Sequence, residues 1–430
     1  MKVTSATIYH VKGEGLKPVI VRLETDADIV GLGEAAPSYG VGGTAAAGMI
    51  KDLCERFVVG KDPRRINALI GEMRDQSFWL RNPGGIAGAG LSAIEQALWD
   101  IKARALNVPV YELFGGKMRD SLFYYANGWY FGATSEADLL AKATEAVKHG
   151  HPAIKMYPLA RIRQNGTLQH PANRCADDRE AVAHAIDLVG KVRDAIGMET
   201  GLMLDLSGGL SVDDTIRFCR GVEQYDISFV EEIIDPSDVG VMEQLKGSIG
   251  IPIATGERHY LLGGYRELLA TRSVNILQPD VGNVGGFAEA FKVAALADSY
   301  GLKVQPHVCA SSVGASVAMH LSACIQNFYV QEHFPYWPRV KGYIEVATEP
   351  FEARAANGAI SLSDASGYGV VLNDTVMQHH IWSQVKSYEA PQLYRASAQG
   401  RSAEVPEAAP EIPASRARDD FHKTQTGEEK

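Results

Sequence analysis

The sequence predicts an α/β protein, a (β/α) barrel preceded by an α+β domain. Six polar residues recur at intervals of 23 to 27 residues, and each closes a short apolar run that leads into a Gly, Ser or Pro break and a helical pattern. They are Asp205, Glu231, Glu257, Asp280, His307 and Glu332. A repeated strand-plus-helix unit with polar residues at the strand C-termini is how a (β/α) barrel builds an active site. The spacing therefore predicts the fold and the location of the site together.

Two more strand-like runs, 122–127 and 152–157, bring the count to the eight strands that close a barrel. The step from Lys155 to Asp205 is 50 residues, about twice the others. The excess, 158–178, is rich in Arg, Asn, Gln and Pro. We expect it to form a long loop over the site, because long loops in compact domains are usually functional.

The segment before the barrel, 1–121, is predicted to be an α+β capping domain. Three runs with β-rich alternation predict a meander, and three helical patterns follow it. The strands are expected at 3–11, 19–24 and 30–34, and the helices around 43–58, 63–76 and 88–106.

The rest of the chain divides into three parts. The barrel domain is expected at 122–355, and a C-terminal segment at 356–395 is expected to pack back on the capping domain. A helical stretch is predicted near 374–388 within that segment. The tail, 396–430, has few large apolar residues, which predicts disorder.

Composition limits the partners. The net charge is −10, which argues against nucleic-acid binding because that requires a basic face. No apolar run is long enough to span a bilayer, and the first residues lack the apolar core of a signal peptide. The five cysteines are odd in number and lack metal-ligand spacing, which favours reduced thiols. We therefore expect a soluble, cytoplasmic protein without membrane or nucleic-acid partners.

Three carboxylates, Asp205, Glu231 and Glu257, end consecutive predicted strands. If the three met at the C-terminal mouth of the barrel, here called the cup, they would repel each other unless a divalent cation neutralised them. An all-carboxylate set suits Mg²⁺ better than zinc. Each alone has a structural alternative. Asp205 could cap a helix, Glu231 or Glu232 could pair with a surface lysine, and Glu257 could pair with Arg258. Jointly, the three favour a Mg²⁺ site.

The next two strand ends carry a candidate general base. Asp280 and His307 end adjacent strands, so the carboxylate can fix one imidazole nitrogen and leave the other to take a proton. Lys155 and Tyr157 lie two apart on one strand and so face the same side. Lys155 could neutralise an anion or act as a base, and Tyr157 is either a catalytic group or packing. Glu332 could donate a hydrogen bond or proton to developing negative charge.

This set suits removal of a proton next to a carboxylate. Such a proton is very weakly acidic, and its loss puts two negative charges on the enolate oxygens, which Mg²⁺ and Lys155 would stabilise. The expected partner is thus a small-molecule carboxylate. We expect Asn127, Trp129 and Ser207 to contact it as well, and His333 either contacts it or points into the barrel wall.

The motifs resemble the enolase superfamily, in its mandelate racemase and galactonate dehydratase branch. The matching runs are Leu-Asp-Leu-Ser-Gly-Gly at 204–209, Val-Glu-Glu at 230–232, Ala-Thr-Gly-Glu at 254–257, Gln-Pro-Asp-Val-Gly-Asn-Val-Gly-Gly at 278–286 and Pro-His-Val-Cys-Ala-Ser-Ser at 306–312. The runs at 93–102 and 113–119 resemble that branch's capping domain.

The resemblance implies a modified TIM barrel with an α+β cap and a homo-oligomer. It implies Mg²⁺ on the three carboxylates, an Asp280–His307 base and Glu332 as electrophilic acid. It also implies that the loop at 36–44, including Tyr39, shapes the pocket and contacts the substrate. Two departures matter. Lys155-Met-Tyr157 replaces the Lys-x-Lys of two-base racemases, and Ser207 stands where some dehydratases place a histidine acid.

The predicted function is a Mg²⁺-dependent dehydratase of an acid sugar, an aldonate or aldarate, that works with one histidine. It would yield a 2-keto-3-deoxy acid. A racemase, epimerase or cycloisomerase acting through the same enolate is the alternative. A non-catalytic protein of the same fold is disfavoured because every metal and base position holds a competent residue.

Overall fold

Three strands, β1 (Val3–His10), β2 (Val19–Thr25) and β3 (Val30–Ala35), open the capping domain as an antiparallel meander. The computed structural model describes residues 1–13, 15–162, 168–169, 179–336 and 343–387. Helices α1 (Gly43–Leu53), α2 (Ile66–Gln76) and α3 (Gly85–Leu106) follow, within a few residues of the predicted helices.

Helix α3 lies almost in backbone contact with β3. A Cβ on Gly31 would lie 2.1 Å from the carbonyl oxygen of Ala97, and one on Gly33 would lie 1.9 Å from that of Ala93. Only glycine permits this approach, because any side chain would collide with the helix backbone. The two glycines therefore fix how the cap helix packs on the cap sheet.

The barrel begins with β4 (Ser121–Ala126) and β5 (Ala153–Met156), with α4 (Glu136–Lys148) between them. A short hairpin of β6 (Arg161–Ile162) and β7 (Leu168–Gln169) lies in the segment after β5. Most of the expected loop at 158–178 lies outside the described residues.

Six strand-and-helix units follow. The strands are β8 (Gly201–Asp205), β9 (Ile227–Glu231), β10 (Ile253–Thr255), β11 (Ile276–Leu277), β12 (Lys303–Val304) and β13 (Gln331–His333). The helices are α5 (Arg179–Ile196), which precedes β8, then α6 (Val212–Val222), α7 (Val239–Lys246), α8 (Leu261–Thr271), α9 (Phe287–Ser299) and α10 (Ser312–Cys324).

Parallel pairing runs from β4 through β5 and β8 to β12, and β13 pairs in parallel with β4. The ring closes just before β13, where the backbone N–H of Val304 donates to Asn327 (2.8 Å) and that of Tyr329 donates to Val304 (2.9 Å). Eight strands thus form a closed barrel, as predicted.

The C-terminal segment returns to both domains. After β14 (Ala355–Ala356), β15 (Ala359–Ser361) pairs antiparallel with β4. Helix α11 spans only Asp374–Met377, and β16 (Ile381–Val385) then adds to the cap sheet beside β1. The prediction of a helix over 374–388 is wrong, because the β-branched and aromatic residues of this run complete an open sheet edge. The expected disordered tail, 396–430, lies outside the described residues.

Two buried glutamates of the cap dock it onto the barrel. Glu34, at the end of β3, accepts hydrogen bonds from the backbone N–H groups of Ser311 (2.8 Å) and Gly314 (2.9 Å) and from the Ser311 hydroxyl (2.6 Å), at the start of α10. Glu95, on α3, accepts from the N–H groups of Phe287 (2.7 Å) and Ala288 (3.0 Å), at the start of α9. Carboxylates complement helix N-termini. The cap therefore holds the two barrel helices that follow Asp280 and His307.

Glu34→Ala is expected to lower the free energy of unfolding by about 3 kcal/mol, because it leaves three buried donors at the start of α10 without their acceptor. Urea denaturation measures the change. The matched control is Glu267→Ala, at an exposed position on α8, where the change should stay within about 0.5 kcal/mol. Equal stability of the two variants would contradict this docking role.

No helix in the described ranges is both long enough and apolar enough to pass through a membrane.

Candidate active site

The barrel interior has two layers. The lower one is apolar and consists of Tyr125, Ala153, Met203, Phe229, Ala254, Ile276 and Val330. Side chains two residues apart on a strand face the same side. Stepping two residues toward the C-terminal ends gives the polar layer above, which contains Asn127, Lys155, Asp205, Glu231, Gln278 and Glu332. The alternation of inward-facing and outward-facing residues along each strand therefore places the candidate site directly above this apolar layer.

Lys155 lies at the centre of the polar layer. Its Nζ atom is 2.7 Å from Glu231 Oε2 and 2.9 Å from Glu332 Oε1, and its side chain is only 2% exposed. Burial by itself would lower the pKa of Lys155, but the charges of Glu231 and Glu332 outweigh it and raise the pKa well above its ordinary value. Lys155 is thus a buried cation at the base of the cup.

The contacts of Glu332 are those of an acceptor. Besides Lys155, the amide of Asn127 donates to its Oε1 (2.9 Å) and the backbone N–H of Val308 donates to its Oε2 (2.8 Å). Burial would raise the pKa of Glu332, but Lys155, His307 and the Val308 N–H together lower it. These contacts do not support the expected role as a proton or hydrogen-bond donor. They make Glu332 the group that holds Lys155 and Asn127.

His307 lies between two carboxylates. Its Nδ1 atom is 2.8 Å from Asp280 Oδ2, and its Nε2 atom is 3.1 Å from Glu257 Oε2. Asp280 is fixed in turn by the backbone N–H of Gly282, which donates to Oδ1 (2.7 Å). Burial would lower the pKa of His307, but Glu257 and Asp280 raise it well above its ordinary value. The structure thus brings together the two residues predicted to form the base, with Nε2 directed at the carboxylate group.

The three expected metal ligands stand at consecutive strand ends. Asp205 and Glu257 are partly exposed, and Glu231, which lies beside Asp205 in the strand register, is buried. Burial and the Glu231 charge raise the pKa of Asp205 to about 7, and burial with the charges of Glu232 and Glu231 raises that of Glu257 well above its ordinary value, against the opposing charge of His307. The carboxylates are therefore close enough to repel one another.

As they stand, these side chains do not form a closed ligand set. Within the described ranges, no three His, Cys, Asp or Glu side chains lie together in a way that could hold a metal ion. Each carboxylate has an oxygen engaged by a different donor. Asp205 Oδ1 accepts from the N–H of Ser207 (2.7 Å), Glu231 Oε2 pairs with Lys155, and Glu257 Oε2 pairs with His307. Each carboxylate is thus oriented by a partner of its own.

One oxygen atom of Glu231 nevertheless indicates that the three carboxylates suit a cation. Glu231 Oε1 is buried and has no hydrogen-bond partner in the described part of the chain. A buried acceptor without a partner is costly unless a positive group reaches it. Together with oxygens of Asp205 and Glu257, this atom would make a hard, all-oxygen donor set of the kind that Mg²⁺ prefers.

The structural alternatives for single carboxylates resolve as follows. Arg258 pairs with Glu232 rather than with Glu257. Glu231 pairs with the buried Lys155 and not with a surface lysine. The helix after Asp205 is capped by Ser211, whose hydroxyl accepts from the N–H of Asp214 (3.2 Å).

Three of the five expected substrate contacts lie around the cup. Asn127 belongs to the polar layer through its bond to Glu332. Ser207 is exposed at the rim beside Asp205. Tyr39 is 64% exposed on the cap loop. The hydroxyl of neighbouring Ser38 donates to the carbonyl of Cys309 (2.5 Å), two residues beyond His307.

The other two expected contacts are buried. The indole of Trp129 donates to the carbonyl oxygen of Lys155 (2.8 Å), so it supports that strand, and its contact with substrate stays a prediction. His333 follows Glu332 on β13 and therefore points the opposite way. Its buried ring packs on Tyr124 and Phe351, and burial lowers its pKa to about 3. The structure thus turns His333 away from the cup, and the prediction that it contacts substrate is wrong for this reason.

Tyr157 lies one residue beyond β5 and is 4% exposed. A Cβ built on Gly209 would lie 3.4 Å from the Tyr157 hydroxyl, which places that hydroxyl beside the loop after β8. Tyr157 is thus near the rim, on the Asp205 side of the cup.

Two glutamines of the polar layer were not anticipated. The amide of Gln278 donates to Glu231 Oε2 (2.7 Å) and to Gln305 Oε1 (2.6 Å), and both glutamines are fully buried. Gln278 thus shares the Glu231 oxygen that Lys155 also contacts. The alternation Ile276–Gln278–Asp280 is the sequence signal that could have identified it.

Family models match both parts of the chain. Residues 12–115 match the family described as mandelate racemase / muconate lactonizing enzyme, N-terminal domain, and residues 138–376 match the family described as enolase C-terminal domain-like. The chain belongs to the enolase superfamily. This confirms the predicted resemblance and the predicted fold, a capping domain with a (β/α) barrel.

Several named relatives of this enolase superfamily member are dehydratases, which are lyases, and one similar solved structure, from Zobellia galactanivorans (26% identical, TM-score 0.75, covering 89% of this chain and 100% of its own), is a 3,6-anhydro-D-galactonate cycloisomerase. A D-gluconate dehydratase from Thermoproteus tenax is 31% identical over 363 residues, which are 84% of this chain and 69% of that protein. A D-galactonate dehydratase from Verminephrobacter eiseniae is 29% identical over 382 residues, 88% of this chain and 94% of that protein. A solved structure from Mesorhizobium loti, provisionally described as a dehydratase, is 46% identical, has a TM-score of 0.86 and covers 89% of this chain and 100% of its own.

Proposed function

We propose that this protein is a Mg²⁺-dependent dehydratase of an acid sugar, an aldonate or an aldarate. The observation that carries the proposal is His307, whose Nδ1 atom is held by Asp280 at 2.8 Å while Nε2 faces the carboxylate group of the cup. The similarity to dehydratases of D-gluconate and D-galactonate supports the substrate class.

Asp205, Glu231 and Glu257 would hold Mg²⁺, which enolase superfamily members generally use. When bound, the ion supplies fixed positive charge for the oxygens of the substrate carboxylate as their negative charge grows. The uncompensated Glu231 Oε1 supports this assignment.

His307 performs the proton transfers in this proposal. Asp280 keeps Nδ1 protonated, so Nε2 takes the proton from the α-carbon, and the electrons of the C–H bond pass into the enolate. The 3.1 Å contact between Nε2 and Glu257 must be released as substrate enters. Lys155 contributes a buried positive charge against the enolate oxygens.

The second step breaks the bond from the β-carbon to its hydroxyl. The enolate electrons form the α–β double bond, and Nε2 returns its proton to the departing hydroxyl, which leaves as water. The resulting enol rearranges to a 2-keto-3-deoxy acid. One residue acting first as base and then as acid requires both groups on the same face of the substrate, so the elimination is syn.

The test is a library of aldonates and aldarates assayed with semicarbazide for keto-acid product in the presence of MgCl₂. We expect keto acid from at least one acid sugar, with the α-hydrogen and the β-hydroxyl in a syn relation. Racemisation, epimerisation or cycloisomerisation without keto acid would overturn the dehydratase assignment and favour an isomerase acting through the same enolate.

Glu257→Gln is expected to abolish turnover and to weaken Mg²⁺ binding about 100-fold, because an amide lacks the negative charge that a hard cation requires. Isothermal titration with MgCl₂ measures the affinity, and thorough chelation of wild-type enzyme should abolish keto-acid formation reversibly. Full activity after chelation would exclude the cation.

A further inference from the structure

Just after each of the three expected cation ligands comes a residue that belongs to one hydrogen-bonded cluster around Arg258. Glu232 directly follows Glu231, Arg258 directly follows Glu257, and Ser207 lies two residues beyond Asp205. Arg258 Nε donates to Glu232 Oε1 (2.8 Å), and its Nη2 atom donates to Glu232 Oε2. The same Nη2 donates to the backbone oxygen of Ser207 (3.3 Å). One guanidinium thus joins the ends of β8, β9 and β10.

The backbone of these three strand ends is already cross-linked. The N–H of Gly208 donates to the carbonyl of Glu232 (2.8 Å), and the N–H of Glu232 donates to that of Ala254 (2.9 Å). Ser207 and Glu232 both hold left-handed backbone conformations, with φ of 47° and 43°. Such conformations cost of order 1–3 kcal/mol in a non-glycine residue and persist when the surroundings enforce them. The Arg258 contacts act on these two residues.

We propose that the Glu232–Arg258 pair is a brace that positions Asp205, Glu231 and Glu257 and thereby sets the affinity for the cation. The brace rests on the proposed function, because it acts through the proposed ligands. Glu232 is almost fully buried (2% of its side chain exposed), whereas Arg258 reaches the surface (42%). The planar, two-point geometry of guanidinium on carboxylate fixes orientation as well as distance.

A charge effect competes with positioning, and the two make opposite predictions for the loss of Arg258. By charge alone, loss of Arg258 would increase the negative potential of the cup and tighten cation binding, while Glu232→Gln would weaken it. By positioning, either loss releases the three strand ends and weakens binding. Substitution of groups that orient metal ligands typically costs 10–100-fold in affinity.

The experiment is isothermal titration of the full chain with MgCl₂, comparing wild type, Arg258→Gln, Glu232→Gln, Arg258→Lys and the Arg258→Gln/Glu232→Gln double variant. We expect each single change to weaken Mg²⁺ binding about tenfold or more. The double variant should be no weaker than the worse single variant, because the two residues act as one unit. Arg258→Lys should also weaken binding although it keeps the charge.

The matched control is Arg217→Gln on α6. Arg217 pairs with a buried aspartate, Asp214, with side-chain exposures of 40% and 1%, close to those of the brace. It should lose thermal stability to a similar extent as Arg258→Gln and keep wild-type Mg²⁺ affinity.

The outcomes separate the two proposals. Wild-type or tighter Mg²⁺ binding by Arg258→Gln, with binding lost in Asp205→Asn, would overturn the brace and leave the cation site intact. Equal binding by wild type and Asp205→Asn would overturn the cation site, and the brace with it.

Discussion

His307→Asn is expected to lower kcat by about 10³-fold or more and to abolish exchange of the substrate α-proton with deuterated solvent. The expected size is that of losing a general base. The structure gives the reason, because Asp280 fixes the ring through Nδ1 and leaves Nε2 as the atom that can accept a proton. Asparagine keeps a hydrogen-bonding group toward Asp280 but has no base to replace Nε2.

The measurement is ¹H NMR of the product and the recovered substrate after incubation in D₂O, beside steady-state kinetics. Tyr157→Phe is the comparison variant, because the Tyr157 hydroxyl lies near the rim beside Gly209. Tyr157→Phe should retain α-proton exchange and keto-acid formation. Exchange at the wild-type rate in His307→Asn would place the base elsewhere, and loss of elimination but not exchange in Tyr157→Phe would make tyrosine the acid.

Lys155→Met is expected to lower kcat/KM by about 10²- to 10³-fold, the size seen when a preorganised donor to a developing anion is removed. It is also expected to destabilise the fold by about 3 kcal/mol or more, because Glu231 and Glu332 lose the cation that lies 2.7 and 2.9 Å from them. Kinetics and urea denaturation measure the two effects separately.

The Lys155→Met/Glu332→Gln double variant separates stability from catalysis. Neutralising Glu332 should recover part of the lost stability, since one buried unpaired charge is removed, and activity should stay low. If activity recovers together with stability, Lys155 acts only by holding the fold. Activity of Lys155→Met within tenfold of wild type would contradict its charge role at the enolate.

The barrel and the positions of its polar groups could be predicted because they depend on local sequence. Each apolar run forms a strand, and the residue at or just beyond its end must reach the C-terminal mouth, so Asp205 and Glu231 were placed from spacing alone. The direction of a side chain also follows from period two. That rule identifies Gln278, which was not anticipated, and it turns His333 into the barrel wall.

The contacts that could not be predicted join residues far apart in the chain. Glu34 reaches Ser311 across 277 positions, and no local pattern marks either as a partner of the other. Arg258 could have paired with Glu257 or Glu232 by sequence, and only the folded geometry selects Glu232. The run at 381–385 forms a strand because the edge of β1 is available to it. This tertiary contact outweighs the helical spacing of the apolar residues in the run.

The pairing of β16 with β1 also dictates an order of events during synthesis. Ile8 faces Ser383, so β1 cannot gain this neighbour until nearly all of the described chain has left the ribosome. Until then, β1 presents an unpaired edge, which is prone to association with other nascent chains. Docking of α9 and α10 by Glu95 and Glu34 is similarly delayed, because both helices are made long after the cap. The cap sheet is therefore completed only after all eight barrel strands have been made.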